Sequence, residues 1–241
     1  MRIAVLEDDP AHAAFVNETL SSAGHVCHEF FNGQAIIRAL RRQTFDLLVL
    51  DWAVPETSGE EVLHWVRQSL GEHVPVIFMT ARKREADVMS ILNAGADDYV
   101  VKPVSAGLLL ARVSSLLRRA YKINPGTARE TFGDFEFDRP SAQALRNGVP
   151  VPLTLREFTL ALLLFQNLGR PLSRSHILEM VWKKAGNVPS RTMDTHISCL
   201  RAKLSLRPEN GYRLAPVYGY GYRLEQIGNG EMESHTSTAR A

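Results

Sequence analysis

The chain of 241 residues is long enough for one large or two ordinary domains, and at 45% hydrophobic and 22% charged it has the make-up of a globular protein with a core. No apolar run reaches the length of a membrane span, and the start "MRIAVLEDD" turns acidic too early for a secretory leader. Two distant cysteines, Cys27 and Cys199, exclude a disulfide framework, so the expectation is a cytoplasmic protein with free thiols.

The front of the chain alternates short apolar runs with amphipathic stretches. Strands are expected at "IAVLE" (3–7), "VCHEFF" (26–31), "DLLVLD" (46–51), "VPVIFMT" (74–80) and "DYVVK" (98–102). Helices are expected near 10–23, 33–42, 58–69, 84–93 and 105–119. This alternation predicts an α/β domain over 1–120, a doubly wound five-stranded parallel sheet with helices on both faces. Asp9-Pro10 suits an N-cap and a first helical position, and Gly24 and Gly95 suit helix ends. Residues 121–130, with Pro125-Gly126, lose periodicity and read as a linker. An α+β domain over 131–225 follows. It opens with short strands and an Asn147-Gly148 hairpin turn, continues with three helices starting at Thr154, Ser173 and Ser190, and closes with a hairpin over 212–224. Residues 226–241 read as a disordered tail.

Charge divides the same way. Residues 1–120 carry 12 Lys and Arg against 15 Asp and Glu, whereas 121–225 carry 15 against 9, so an acidic front precedes a basic back suited to a polyanion. In the front domain Glu7 and Asp8 end the first strand, Asp51 the third, Thr80 the fourth and Lys102 the fifth. These are carboxyl ends, where open parallel sheets bind ligands. Three carboxylates there repel unless a cation sits among them, and hard oxygen ligands with room for water suit Mg²⁺. A lysine and a hydroxyl beside them suit a phosphoryl group, with a carboxylate as its nucleophilic acceptor. Each residue also has a plainer reading: Asp9 or Asp51 as a cap, Thr80 in a turn, Lys102 as a solvated charge.

The stretches "VLEDDP", "DLLVLDWAVPETSG", "VIFMTAR" and "GADDYVVKP" resemble, in order and spacing, the receiver domain of two-component response regulators over the whole of 1–120. The resemblance implies that Asp51 accepts a phosphoryl group from the phosphohistidine of a sensor histidine kinase. It implies Mg²⁺ held by Glu7, Asp8, Asp51 and the backbone carbonyl of Ala53. Lys102, before a cis Pro103, pairs with a phosphoryl oxygen, Thr80 binds another, and Tyr99 swings inward with Thr80. The face built from 84–119 then forms a homodimer. Asp97, Asp98, Arg112 and Arg119 match family positions there, while Val88 and Leu108 stand where a basic and an acidic residue are usual. An apolar contact between chains and simple local packing are both open for that pair. Val104 replaces a common aromatic residue.

In the back domain, helical spacing puts Met193, Ile197, Leu200 and Leu204 on a core-facing side of 190–204. Arg191, Thr195, Ser198 and Ala202 lie opposite, with Cys199 beside them. That outward face is small enough to enter a major groove, with Arg191, His196, Arg201 and Lys203 near phosphates; a solvated face is the plainer reading. "LTLREFTLALLLFQNLGRPLSRSHILEMVW", "SRTMDTHISCLRAKL" and "VYGYGYRL" resemble the winged-helix effector domain of the OmpR/PhoB class over about 131–224. The resemblance makes 190–204 the recognition helix for double-stranded DNA, 183–190 a loop facing RNA polymerase and 212–224 the wing. Thr192, Asp194, His196 and Arg201 match family positions. Cys199 and Tyr218 depart from residues that are often Arg or Asn in the helix and Arg in the wing. Loss of a bidentate base contact removes about 1–3 kcal/mol of discrimination, so modest single-site specificity is expected, recovered by dimers on direct repeats. Tyr218 stands among the candidate DNA contacts, where it could stack on sugars or touch phosphate, although packing within the hairpin is slightly favoured because Tyr212, Tyr220 and Tyr222 crowd the same strand pair; Trp182 is expected to be core, and Cys199 to act as a plain small side chain.

Three functions follow from these residues. The first is a phosphorylation-switched transcription regulator. The second is a Mg²⁺-dependent phosphohydrolase of haloacid-dehalogenase type, which needs an acid two residues after its nucleophile, where Ala53 stands; the expectation is therefore no enzyme beyond self-catalysed transfer to and from Asp51. The third is a phosphorylation-independent DNA-binding regulator that uses the receiver for dimerisation.

Overall fold

The computed structural model describes residues 1–70, 74–82, 84–121, 128–183 and 190–227. The chain divides into two compact units, Met1–Pro125 and Gly126–Ala241.

In the first unit, strands β1 (Arg2–Leu6), β2 (Val26–Phe30), β3 (Leu47–Asp51), β4 (Val76–Thr80) and β5 (Asp98–Val101) form one parallel sheet in the order β2-β1-β3-β4-β5. Helices α1 (Pro10–Ser22), α2 (Gly33–Leu40), α3 (Gly59–Ser69), α4 (Glu85–Asn93) and α5 (Ala106–Tyr121) connect and follow the strands. Successive strand side chains point to opposite faces, and here each face has its own core. Ile3, Val5, Leu47, Val49, Ile77 and Met79 pack with α1 and α5 through Val16, Leu20, Leu109 and Val113. Ala4, Leu6, Leu48, Leu50, Val76 and Phe78 pack with α2, α3 and α4 through Ile36, Val62, Val66 and Ile91. Both faces are covered, which is why these strands are continuously apolar. Asp9 caps α1, accepting from Ala11 N at 2.8 Å with Pro10 in the first turn, while Gly24 and Gly95 take positive φ just beyond α1 and α4.

The second unit begins with an antiparallel sheet of β6 (Arg129–Phe132), β7 (Phe135–Asp138), β8 (Gln143–Arg146) and β9 (Val149–Val151). Asn147 and Gly148 both have positive φ and turn β8 into β9. Helices α6 (Leu155–Gln166), α7 (Arg174–Trp182) and α8 (Ser190–Lys203) follow, and β11 (Tyr212–Val217) and β12 (Gly221–Gln226) form the closing hairpin. Met193, Ile197 and Leu200 of α8, with Leu204 just beyond its end, are fully buried in one cluster with Phe135, Phe137, Phe165 and Leu224, as the helical spacing requires.

Several features differ from expectation, among them α5, which runs on to Tyr121 at the start of the segment read as a linker, and β12, which runs to Gln226, paired with Tyr212, at the start of the segment read as a tail. Strand β6 starts at Arg129, inside the segment read as a linker, because the linker reading followed Pro125-Gly126 rather than the pairing of Arg129 with Asp138 across the sheet. The two-residue strand β10 (Leu172–Ser173) pairs with β12 and is too short to show any alternation. Most of the linker (122–127), most of the loop expected to face RNA polymerase (184–189) and most of the tail (228–241) lie outside the described residues.

Candidate functional site: an acidic pocket and a helix–hairpin face

The carboxyl edge of the parallel sheet brings five expected residues together. Glu7 follows β1, with its backbone N–H donating to Phe30 O at 3.0 Å; Asp51 ends β3, Thr80 ends β4 and Lys102 follows β5. Glu7, Asp51 and Thr80 are buried, while Asp8 is exposed. Lys102 Nζ donates to Glu7 Oε2 at 2.6 Å and to Asp51 Oδ2 at 2.7 Å, so one ammonium bridges two buried carboxylates. Burial alone would lower the Lys102 pKa, but its bonds to Asp51 and Glu7 outweigh this and raise it. Desolvation pushes the Glu7 carboxyl up against the opposing pull of Lys102. The peptide bond between Lys102 and Pro103 is cis.

Among the described residues Glu7 Oε1 is buried without a hydrogen-bond partner, His12 Nδ1 standing 3.7 Å away. Ligand oxygens of Glu7, Asp8 and Asp51 all lie within 4.8 Å of one another. An all-oxygen set with an unsatisfied buried acceptor fits a hard divalent cation such as Mg²⁺. Ala53 is exposed beside the pocket, and its backbone N–H donates to Asp51 Oδ1 at 3.4 Å. Thr80 Oγ1 accepts from Arg82 N at 3.1 Å. Tyr99 is half-buried against the core shared with α3 and α4.

Two features here were not anticipated. Gly59 opens α3 so close to β3 that a Cβ would stand 2.0 Å from the Asp51 carbonyl oxygen. Ser58 and Glu61 form a reciprocal capping box at the same place, with Ser58 N donating to Glu61 Oε2 at 2.7 Å. The "S-G-E-E" spacing carried that signal.

Three of the residues expected on a dimer face, Asp97, Asp98 and Arg112, have partners within the chain. Asp97 takes Arg67 Nη2 at 2.8 Å and Val76 N at 2.7 Å. Asp98 takes Arg112 Nη1 at 2.8 Å. Arg119 and Leu108 are exposed, and Val88 is half-buried. Val104 is half-buried and helps line a pocket of about 300 Å³ with Phe15, Met79 and Lys102.

In the second unit Arg191, Thr195, Ser198, Ala202 and Lys203 of α8 are exposed, and Thr192 and Cys199 are half-buried. Several expected phosphate contacts are already engaged. Lys203 Nζ donates to Glu157 Oε2 at 2.8 Å, Arg201 Nε to Leu214 O at 2.8 Å, and His196 Nδ1 meets Thr192 O at 2.8 Å. Asp194 accepts from Tyr222 Oη at 2.7 Å and from Arg174 Nη2 at 3.0 Å, which fastens α8 to β12 and α7. The His196 bond stays within α8, but sequence spacing could not show the bonds of Lys203, Arg201 and Asp194, because their partners lie on other elements. Tyr218 corrects an expectation: it does not pack in the hairpin but stands fully exposed at its tip. It lies in the turn beyond the last strand pair, Val217 with Gly221, whereas Tyr212 and Tyr222 belong to the paired strands and are buried in the core. Trp182 packs against the core, with His196 edge-on at 5.3 Å between ring centroids.

Comparison with known proteins agrees with this two-part layout. Residues 3–114 match the family described as response regulator receiver domain, and residues 148–224 match transcriptional regulatory protein, C terminal. The transcriptional regulatory protein CreB of Escherichia coli is 37% identical over 230 residues, spanning 92% of this chain and 97% of CreB. AfsQ1 of Streptomyces coelicolor, also a transcriptional regulatory protein, is 36% identical over 221 residues, spanning 92% of this chain and 96% of its own. The phosphate regulon transcriptional regulatory protein PhoB of Rhizobium meliloti is 37% identical over 225 residues, spanning 93% of this chain and 98% of its own. Kinship along nearly the whole length favours the phosphorylation-dependent reading over a receiver kept only for dimerisation. The chain belongs to the OmpR/PhoB class of response regulators, transcription regulators in which a receiver domain governs a DNA-binding domain through phosphorylation.

Proposed function

We propose that Asp51 is the phosphoacceptor and that the edge around it catalyses its own modification. The observation that carries this reading is the Lys102 ammonium bridging Asp51 and Glu7 at 2.7 and 2.6 Å beside the buried Thr80 hydroxyl. An Asp51 oxygen attacks phosphorus, the phosphorus–nitrogen bond to the histidine of the sensor kinase breaks, and the electron pair leaves with the imidazole. Lys102 then shifts from the carboxylate to a phosphoryl oxygen, and Thr80 gives up the Arg82 amide to donate to another. Glu7, Asp8, Asp51 and the Ala53 carbonyl would hold Mg²⁺, which supplies charge neutralisation at the transferring group. The methyl side chain of Ala53 cannot protonate a leaving group, which supports a regulator rather than a phosphohydrolase.

On the DNA side, Arg191, Thr195, Ser198 and Cys199 of α8 and Tyr218 of the hairpin are the proposed contacts. His196, Arg201 and Lys203 act chiefly as internal fasteners. A homodimer through α4, β5 and α5, an encounter with RNA polymerase and a cytoplasmic location complete the reading. No helix among the described residues is long and apolar enough to cross a membrane.

The test treats the full chain and Asp51→Asn with acetyl phosphate and Mg²⁺, measuring mass and promoter binding. The wild type should gain one phosphoryl group and bind DNA more tightly, and the variant should do neither. Equal labelling of both proteins would move the acceptor elsewhere.

A further inference from the structure

Arg82 lies two residues beyond the end of β4, and Trp52 follows Asp51 at the end of β3. Asp51 and Met79 are register partners, so the two strands deliver Trp52 and Arg82 to the same edge. The Arg82 guanidinium lies over the Trp52 ring, 4.5 Å from its centroid. The Arg82 backbone N–H donates to Thr80 Oγ1 at 3.1 Å. Its Nη1 stands 3.7 Å from Asp87 Oδ1 in the first turn of α4, too far for a hydrogen bond. The residue before α4, Arg84, gives that helix no side-chain cap, and the pair with Asp87 ties Arg82 to its first turn.

We propose that Arg82 is a second cationic contact for the phosphoryl group on Asp51, held over Trp52 until that group arrives, and that its transfer releases the first turn of α4. This rests on the reading of Asp51 as acceptor. Among the described residues the contacts of the guanidinium are weak: its side chain is 50% exposed, the stack is a surface cation–π contact, and the ion pair is long and screened by salt. Phosphorylation brings about −1.5 to −2 units of charge to the residue beside Trp52. Lys102 is a point charge already divided between two carboxylates, whereas a guanidinium is a planar fork that matches phosphoryl oxygens two at a time. The amide of Arg82 is tied to the hydroxyl of Thr80, so rearrangement of Thr80 frees the backbone of Arg82 at the same moment.

The experiment uses the full chain with Mg²⁺ and beryllofluoride as a stable phosphoryl mimic. Affinity is read by calorimetry, the stack by tryptophan emission, and α4 by amide exchange. Wild type should bind with a change in emission that Trp52→Phe lacks and with faster exchange over 85–88. Arg82→Gln should bind about tenfold more weakly, the worth of one charge-assisted hydrogen bond. It should also lose the emission change and the exchange response. Arg82→Lys should recover part of the affinity. Equal affinity and equal emission change in Arg82→Gln would overturn the proposal while leaving Asp51 as acceptor. No binding by wild type would overturn both.

Discussion

At the scale of single residues, the chemistry of this protein is carried by atoms that neighbouring backbone has been shaped to receive. Gly59 is the clearest case, because its missing side chain lets α3 start against the Asp51 carbonyl, 2.0 Å from where a Cβ would stand. Gly59→Ala should therefore displace the β3 end, cost about 1–3 kcal/mol of stability and slow labelling of Asp51; thermal melting and acetyl phosphate labelling check both effects. On α8, Arg191 is exposed, whereas Lys203 and Arg201 are bound to Glu157 and Leu214. Arg191→Ala should weaken binding to all DNA sequences alike and reduce the salt slope by about 0.9, the value for one phosphate contact. Fluorescence anisotropy across a salt series measures this, and an unchanged slope would place the phosphate contact elsewhere. The pocket residues were legible because five polar side chains interrupt apolar strands at one edge. Arg2 was not legible: it sits in an apolar run, yet is buried with its amide on Asp46 at 2.8 Å and its guanidinium over Phe45. Nothing local distinguishes it from an exposed strand-end charge.

At the scale of elements, helix starts were the most readable feature and short pairings the least. The Thr154/Glu157 capping box forms as its spacing predicts, with Thr154 N donating to Glu157 Oε2 at 2.8 Å. Its further role was hidden, since the same carboxylate takes Lys203 from the last turn of α8 at 2.8 Å and so joins two helices. Burial opposes the charge on Glu157, but the bonds from Lys203 and Thr154 outweigh it and hold the carboxyl below its usual 4.5. A depressed acid stabilises the fold fully above its unfolded value, and that contribution is lost as pH falls through the lower folded value. Glu157→Ala should thus cost about 1–2 kcal/mol near neutral pH, and the gap from wild type should close in acid. Urea denaturation at both pH values measures it. Strand β10 escaped reading because two residues carry no period, and the start of β6 because a Pro-Gly pair outweighed a pairing that only the folded sheet reveals.

At the scale of the whole molecule, the chain is two units whose apolar clusters share no residue: two clusters flank the parallel sheet and a third fills the second unit. Calorimetry should resolve two unfolding transitions. Saturation with Mg²⁺ and beryllofluoride should raise only the one belonging to Met1–Pro125, by about 2.7 kcal/mol at a hundredfold excess over Kd. A single transition shifted as a whole would mean that the units unfold together. Within the second unit, Tyr222 and Arg174 hold Asp194, and Arg201 holds Leu214, so α8 is riveted to both strands of the hairpin that carries Tyr218 at its tip. A helix and a loop tip locked at one separation behave as a calliper with fixed jaws. With α8 and Tyr218 as the proposed DNA contacts, such a tool would gauge the breadth and pitch of the duplex between its jaws, so stiff or narrow tracts would be accepted or refused by their shape, at base pairs that no side chain touches.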